Sequence, residues 1–258
     1  MTESTPTKSW RKTADRPLRS WRKSLSIWLF ARAVGVPVPW AAVRQTDGTA
    51  LLAYEHQRLL ALGAAGEAVP PVLAFDGHTL ETGDIGTTLD HSLYRTEPTQ
   101  RLALMCAASA DLARFHARGH WHGGAQSRNI TWDGERFARL DFEEPLVPGL
   151  PLATVQRYDA LQLVLSLAGY LVPLGPAAVA AVLDAYERAA DEATPTAVVP
   201  RAGARFCGAA AAAPAAGGAL VALVGAHQPL ARADAPAHRA GWHERLCAAR
   251  PCLTRLTA

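Results

Sequence analysis

The sequence predicts an α+β protein, with a small β-rich part followed by a larger part that is mainly helical. Short runs rich in β-branched and aromatic residues, next to Asp-Gly pairs, predict strands over 68–86 and a hairpin over 130–140. Apolar residues three and four positions apart predict helices over 54–63, 100–118, 155–167 and 177–193. With 258 residues, the chain can bury the core of one large domain or of two lobes.

Charge and cysteine content narrow the classes of protein. The formal net charge is only +3, so the overall electrostatic field is weak and we predict no nucleic-acid partner. None of the four cysteines is spaced as a C-x-x-C pair or forms a metal-ligand pattern with the histidines. A reducing, cytoplasmic compartment is therefore predicted.

Two apolar stretches resemble targeting or membrane segments in composition. The run 24–31 is short for the core of a signal peptide, and Arg32 follows it. The run 160–183 is uncharged and long enough to span a bilayer, but Pro173 and Pro176 interrupt it. We therefore predict a buried helical region over 160–183 and no membrane span.

The first 23 residues carry seven basic side chains and a repeated Ser-Trp-Arg-Lys motif. The copies begin at Ser9 and Ser20, and this spacing is close to three helical turns, although Pro17 argues against one continuous helix. We interpret 1–23 as a basic N-terminal arm. It is either a solvated, disordered tail or a segment that docks peripherally on the anionic inner face of a membrane.

The clearest chemical signal lies between His122 and Glu143. Asp133-Gly134 stands between two short strand-forming runs, which predicts the hairpin. Because a hairpin brings its outer ends together, Asn129 before it and Asp141 after it should lie side by side. An amide oxygen and a carboxylate suit a hard cation such as Mg²⁺, which takes its other ligands from water and substrate phosphates.

The order of these features resembles the protein-kinase-like superfamily. A helix leads into His122-Gly, then Asn129, the hairpin and Asp141-Phe-Glu, as in small bacterial kinases of lipopolysaccharide core sugars and in the RIO-like serine/threonine group. The resemblance covers about residues 50 to 190. It implies a two-lobed protein-kinase-like fold, with a reduced β-rich small lobe over 24–86 and a mainly helical large lobe over 87–193.

The resemblance also implies roles for individual residues. Asn129 and Asp141 would hold Mg²⁺ under the phosphates of ATP, and His122 would brace the loop by hydrogen bonding. Glu55 matches the glutamate that pairs with a strand lysine in the small lobe, and a surface glutamate is the alternative. Asp159 would accept hydrogen bonds from the loop backbone, unless it is an ordinary exposed aspartate at the start of a helix.

One departure from the family concerns the base. Gly124 stands where the family has the aspartate that accepts the proton of the substrate hydroxyl. Gln126, in the same loop, could orient a hydroxyl but cannot take its proton. Glu143 or Glu144 could substitute as the base if the backbone places them there.

A second departure concerns the phosphate ligands of the small lobe. No glycine-rich phosphate loop is visible in 24–53, which we interpret as a short, irregular strand region with a turn at Asp47-Gly48. No lysine follows Lys23, so Glu55 has no obvious partner, and Arg32 or Arg44 are the alternative phosphate ligands.

These observations lead us to expect an ATP-dependent phosphotransferase. It would move the γ-phosphoryl group to a hydroxyl of a protein Ser/Thr or of a lipopolysaccharide sugar, and a nucleotide-binding pseudokinase with a regulatory or scaffold role is the alternative. Residues 194–258 are rich in Ala, Gly and Pro and show no sustained periodicity. They predict either a disordered tail or a segment read in a shifted frame.

Overall fold

The computed structural model describes residues 8–33, 36–147 and 149–193, so the segment predicted to be a disordered tail lies outside the described residues. The described part of the chain contains six strands and eight α-helices, which confirms the α+β class. In chain order, the elements are β1 (Ser9–Thr13), α1 (Trp21–Ala33), α2 (Trp40–Val43), α3 (Gly48–Ala64), β2 (Val72–Phe75), β3 (Thr79–Gly83), β4 (Thr87–Thr88), α4 (Leu89–Arg95), α5 (Pro98–Ala117), β5 (Ile130–Trp132), β6 (Phe137–Arg139), α6 (Leu152–Ser166), α7 (Ala168–Leu171) and α8 (Pro176–Ala193).

The first sheet is antiparallel and has the strand order β1-β3-β2. The sequence predicted β2 and β3, whereas β1 lies in the stretch interpreted as a solvated arm, and that interpretation is wrong for Ser9–Thr13. Lys12 of β1 stands opposite Leu80 of β3. The spacing of the two tryptophans suits a helix and therefore concealed the strand. In a strand, residues two apart share one face, and Trp10 and Lys12 stand in that relation.

The described residues within 24–53 form the end of α1, α2 and the start of α3, joined by irregular segments and without a strand, so the interpretation of 24–53 as a strand region is wrong. The Asp47-Gly48 pair begins α3 instead of making a turn between strands. The Asp47 side chain accepts hydrogen bonds from the backbone amides of Thr49 at 2.9 Å and Ala50 at 3.1 Å. This is the usual way to satisfy the free amides of a helix N-terminus, and Asp serves it as well as it serves a turn.

Helix α5 forms where its apolar spacing predicts it. Pro98 occupies the first turn, where its missing amide costs nothing, and Gly119 follows the helix with φ of +83°. Met105, Leu112 and Phe115 are fully buried on one stripe. That stripe faces the main core, in which α5 packs along α8.

A second, smaller core joins the segment between β1 and α3 to the helical part of the protein. Its members come from the segment before α3 and from the chain after α5, and the principal ones are Val36, Val38, Val43, Trp121, Leu146 and Tyr158. The described residues of 14–47, which are 14–33 and 36–47, therefore pack beside the loop that follows α5. This placement brings the basic side chains of the segment close to that loop.

The uncharged run 160–183 folds as several short pieces. Helix α6 ends at Ser166, α7 covers four residues, and a 3₁₀ turn over Val172–Leu174 precedes α8. Among the described residues, no helix combines the length and the apolar character needed to cross a bilayer.

Candidate functional site

A three-membered ion cluster links segments that are far apart in the sequence. Lys12 Nζ lies 2.6 Å from Oε1 and 2.9 Å from Oε2 of Glu55, and 2.6 Å from Oδ1 of Asp141. Lys12 comes from β1, Glu55 from the second turn of α3, and Asp141 from the segment after β6. The expectation that Glu55 lacks a lysine partner is wrong, and so is its alternative as a surface residue, since only 2% of Glu55 is exposed.

The backbone around the cluster leaves little freedom to its members. Gly48 starts α3 against the end of β1, and a Cβ at Gly48 would stand 2.0 Å from the Ala14 carbonyl oxygen. Only glycine permits this approach, which holds the helix that carries Glu55 against the strand that carries Lys12. The pairing of β1 with β3 then fixes the face of the strand from which Lys12 reaches the cluster.

Lys12 and Asp141 stabilise each other's charge, whereas burial raises the pKa of Glu55 in spite of Lys12. Burial alone would lower the pKa of the Lys12 ammonium, but the carboxylates of Asp141 and Glu55 outweigh it and the pKa is raised. Burial alone would raise the pKa of Asp141, but Lys12 and Arg16 outweigh it and the pKa is lowered. At neutral pH, an ammonium therefore faces an ionised Asp141.

The hairpin places Asn129 and Asp141 at the same edge, as the Asp133-Gly134 turn predicts. Ile130 stands opposite Arg139, and the Leu140 amide donates to the Asn129 carbonyl at 3.0 Å. The side-chain Nδ2 of Asn129 donates to the Gly124 carbonyl at 2.9 Å, so Oδ1 is the ligand atom of this amide.

Asp141 itself has an unusual backbone. Its φ of 72° is the only positive value at a non-glycine residue in the described part of the chain. The left-handed region is costly for most L-residues, although Asp tolerates it better than others. A strained backbone of this kind is found at functional sites, where the surrounding structure holds a side chain in a required direction.

His122 and Asp159 brace the loop before the hairpin. Asp159 is fully buried and accepts hydrogen bonds from the backbone amides of His122 at 2.6 Å and Gly123 at 2.8 Å. The His122 ring is stacked on Phe142, and its Nε2 lies 3.1 Å from the Leu140 carbonyl. Because burial lowers the pKa of His122 to about 4, the ring is neutral and acts as a hydrogen-bonding brace. The alternative of an exposed Asp159 is wrong.

The two glycines of the loop differ in the space around them. A Cβ at Gly123 would stand 2.9 Å from Glu144 Cβ and 3.0 Å from Trp121 Cζ3, and its φ is +91°. At Gly124, the nearest atom to such a Cβ would be Asn129 Nδ2 at 3.5 Å, an ordinary contact. Position 123 therefore requires glycine, whereas position 124 has room for a side chain.

The two glutamates considered as bases are held by arginines of residues 14–47. Arg16 forms an ion pair with Glu143, and Arg19 forms one with Glu144. Gln45 Nε2 also lies 3.3 Å from Glu143 Oε1. Burial raises the pKa of the Glu144 carboxyl, and Arg19 offsets only part of that rise. Geometry nevertheless argues against either glutamate as the base, because a guanidinium already occupies the carboxylate oxygens that would have to accept the proton.

A cavity of about 290 Å³ opens on this loop. Its lining includes Gly124, Gln126, Asn129 and Asp141, so three of the predicted site residues share it, whereas Arg32 and Arg44 are absent from the lining. Carboxylate oxygens of Glu55, Asp141 and Glu143 also lie within 4.8 Å of one another. With the amide of Asn129 beside them, these oxygen donors fit a hard divalent cation.

The sequence matches no known family model, and no curated protein is significantly similar to it. The geometry of the site therefore carries the argument for function by itself.

Sequence reasoning missed Lys12, Arg16 and Arg19 as members of the site. A signal for Lys12 was present, since Trp10, Lys12 and Thr13 are compatible with a short strand that a turn at Asp15–Pro17 ends. Nothing local in the sequence links the two arginines to Glu143 and Glu144.

Proposed function

We propose that this protein is an ATP-dependent phosphotransferase with a protein-kinase-like site. The proposal is carried by the Lys12–Glu55–Asp141 cluster, in which a strand lysine is held between a helix glutamate and a carboxylate that follows a hairpin. Kinases need this combination, because the glutamate positions the lysine for the nucleotide phosphates and the aspartate holds a metal ion beneath them.

Each residue of the site has a distinct task in this proposal. Lys12 neutralises phosphate oxygens of ATP, and Glu55 keeps its ammonium in place when Asp141 turns to other ligands. Asn129 and Asp141 would hold Mg²⁺, which when bound neutralises charge that develops on the transferred group. Gln126 faces the cavity with them and is placed to orient the acceptor hydroxyl.

The transfer exchanges one phosphorus–oxygen bond for another. The bond between the γ-phosphorus and the β–γ bridging oxygen breaks, an acceptor oxygen bonds to the γ-phosphorus, and ADP leaves. The hydroxyl of a protein Ser/Thr or of a lipopolysaccharide sugar is the acceptor in this proposal. The proton of this hydroxyl passes to solvent or to an oxygen of the transferred phosphoryl group, because Gly124 supplies no base.

A second candidate function is a nucleotide-binding pseudokinase, and Gly124 is the observation that favours it. Without a general base, transfer is expected to be slower by about 10²- to 10⁴-fold. Binding of nucleotide does not need that base, so the Lys12 cluster would serve a regulatory or scaffold module equally well.

A thermal-shift titration of the full chain with ATP, with and without Mg²⁺, tests the proposal. At about a hundredfold excess over Kd, a ligand that binds only the folded state adds about 2.7 kcal/mol to the free energy of unfolding. We expect a magnesium-dependent shift in the wild type that Asn129→Ala and Asp141→Asn each abolish. Asp133→Asn, in the exposed hairpin turn, is the matched control and should retain the full shift.

Two results would contradict the proposal. One is the absence of any ATP-dependent shift in a wild-type protein that unfolds cooperatively. The other is a shift that Asn129→Ala and Asp141→Asn leave unchanged, since the nucleotide would then bind elsewhere. If binding is confirmed, measuring the magnesium-dependent formation of ADP from ATP separates the phosphotransferase from the pseudokinase.

A further inference from the structure

The cavity beside the loop that joins α5 to β5 carries more positive charge than its own carboxylates neutralise. Four basic side chains line it, and they belong to Arg16, Arg19, Lys23 and Arg128. Three carboxylates line it as well, those of Asp141, Glu143 and Glu144. Two of the arginines are matched with Glu143 and Glu144, while Asp141 is matched with Lys12, which lies outside the lining.

Lys23 and Arg128 are the cations left over. Both are exposed, and within residues 8–33, 36–147 and 149–193 neither side chain forms a direct ion pair. The charge of Arg128 nevertheless offsets part of the rise that burial causes in the pKa of Asp90, so Lys23 is the less compensated of the two. Burial lowers the pKa of the Lys23 ammonium, and repulsion by Arg128 and Arg19 adds to this effect, while attraction by Glu143 and Glu144 opposes it without cancelling it. Such an arrangement is unfavourable in an empty protein and becomes favourable when an anion lies between the two charges.

The position of these cations relates them to the acceptor side of the site. Lys23 lies in the first turn of α1 and lines the cavity together with Arg128, which directly precedes Asn129. The remaining lining is partly apolar, with Ile27, Val43 and Leu165, and it includes the inward face of α6. Lys12 and Glu55 lie outside the lining and reach the cavity only through Asp141, so a nucleotide held by Lys12 would occupy the Asp141 side and leave the part beside Lys23 and Arg128 for the second substrate.

We propose that the acceptor carries a phosphate group, which binds between Lys23 and Arg128 and so directs a neighbouring hydroxyl toward Gly124 and Asn129. The role of the hydroxyl rests on the proposed phosphotransferase function, whereas the phosphate site does not. An ammonium acts as a point charge for phosphate and a guanidinium offers paired donors, so the two side chains are suited to this ligand. A cavity of about 290 Å³ accommodates a group of the size of a phosphorylated sugar.

Titration of the full chain with inorganic phosphate, followed by thermal shift and by calorimetry, tests this site. Loss of a charge-assisted contact should weaken phosphate binding about tenfold or more in Lys23→Gln and in Arg128→Gln. Arg22→Gln is the matched control on α1, since Arg22 is exposed and stacked near Trp21 outside the cavity lining. Arg136→Gln, in the exposed hairpin turn, is the control for Arg128, and both controls should bind phosphate like the wild type.

The affinity for Mg²⁺-ATP, measured on the same variants, separates this inference from the proposed function. We expect Lys12→Met to lose nucleotide binding while it keeps phosphate binding, and Lys23→Gln and Arg128→Gln to show the opposite pattern. If Mg²⁺-ATP binding fails in the wild type but phosphate binding still depends on Lys23 and Arg128, the phosphotransferase proposal falls and the phosphate site stands.

Three outcomes would overturn the inference. The first is a wild-type protein that does not bind inorganic phosphate. The second is equal binding of acetate with the same dependence on Lys23 and Arg128, which would assign the site to carboxylates. The third is a loss of Mg²⁺-ATP affinity in Lys23→Gln or Arg128→Gln that matches the loss of phosphate affinity, because these cations would then serve the nucleotide.

Discussion

Replacing Gly124 with aspartate supplies the proton acceptor that the loop lacks. A Cβ at this position would have Asn129 Nδ2 at 3.5 Å and His122 Nδ1 at 3.7 Å as its nearest neighbours. Both distances are ordinary van der Waals contacts, and the backbone of Gly124 is outside the left-handed region. The fold should therefore accept the aspartate without rearrangement, and its carboxylate would enter the cavity that Asn129 and Asp141 line.

The expected gain follows from the worth of a general base. Proton transfer to a positioned side chain contributes about 10²- to 10⁴-fold in rate, which corresponds to about 3–5 kcal/mol of the activation barrier. Glu143 and Glu144 do not already supply this term, because Arg16 and Arg19 hold their carboxylates. We expect Gly124→Asp to raise the rate of magnesium-dependent ADP formation from ATP by about 10²-fold or more.

Two controls isolate the role of the carboxylate. Gly124→Asn has the same shape without a base, so its rate should stay at the wild-type level. Gly123→Asp places the carboxylate one residue earlier, where a Cβ would stand 2.9 Å from Glu144 Cβ and the φ of +91° disfavours any side chain. We expect this variant to lose stability and to gain no activity.

The assay has a clear refuting result. If Gly124→Asp folds, binds Mg²⁺-ATP with the wild-type affinity and forms ADP no faster than Gly124→Asn, the missing aspartate does not limit the reaction. The catalytic reasoning would then be wrong, and the pseudokinase would become the better description of the protein.

Three further predictions concern the residues around the site. Lys12→Met leaves the buried Glu55 and the part-buried Asp141 without their cation and should lower the free energy of unfolding, measured in urea, by about 3 kcal/mol. Lys8→Met, at an exposed pair, should change it by less than about 0.5 kcal/mol. Asp159→Asn replaces a carboxylate that accepts from two backbone amides by a group with one acceptor oxygen, and should lower the free energy of unfolding by about 3 kcal/mol. Asp191→Asn, at an exposed position, is the control and should leave the free energy of unfolding unchanged. In the folded protein the pKa of His122 is about 4, below its ordinary value of 6.5. The unfolded chain therefore binds the extra proton between these two values, so stability falls as the pH falls, by about 2 kcal/mol between pH 6.5 and about pH 5. A His122→Asn variant with an unchanged slope of stability against pH would contradict the assignment of this pH dependence to His122.

Local patterns predicted much of the fold and one half of the site. The Asp133-Gly134 hairpin and the spacing in α5 depend on residues close in sequence, so Asn129 and Asp141 could be placed side by side from the sequence alone. The other half depends on Lys12, which pairs with Glu55 across 43 positions and with Asp141 across 129. No periodicity encodes such a contact, because it arises only when β1 joins the first sheet.

One local signal led in the wrong direction for a physical reason. Asp47-Gly48 has the composition of a turn, but an Asp side chain caps a helix by the same hydrogen bonds to the following amides. The choice between the two was made by the close approach of Gly48 to Ala14, a contact between elements that the sequence pattern cannot show.

The concentration of ion pairs around one cavity argues that these charges serve a ligand. A buried ion pair adds little net stability, since desolvation offsets most of the attraction, and apolar residues of similar size often do better. The second core shows that residues 14–47 can pack by apolar contacts, yet the same segment turns Arg16 and Arg19 to Glu143 and Glu144 beside Asp141. A scaffold selected for stability alone would have no reason to keep these charges in fixed positions around a cavity. A protein that binds phosphates does, and this holds for the phosphotransferase and the pseudokinase alike.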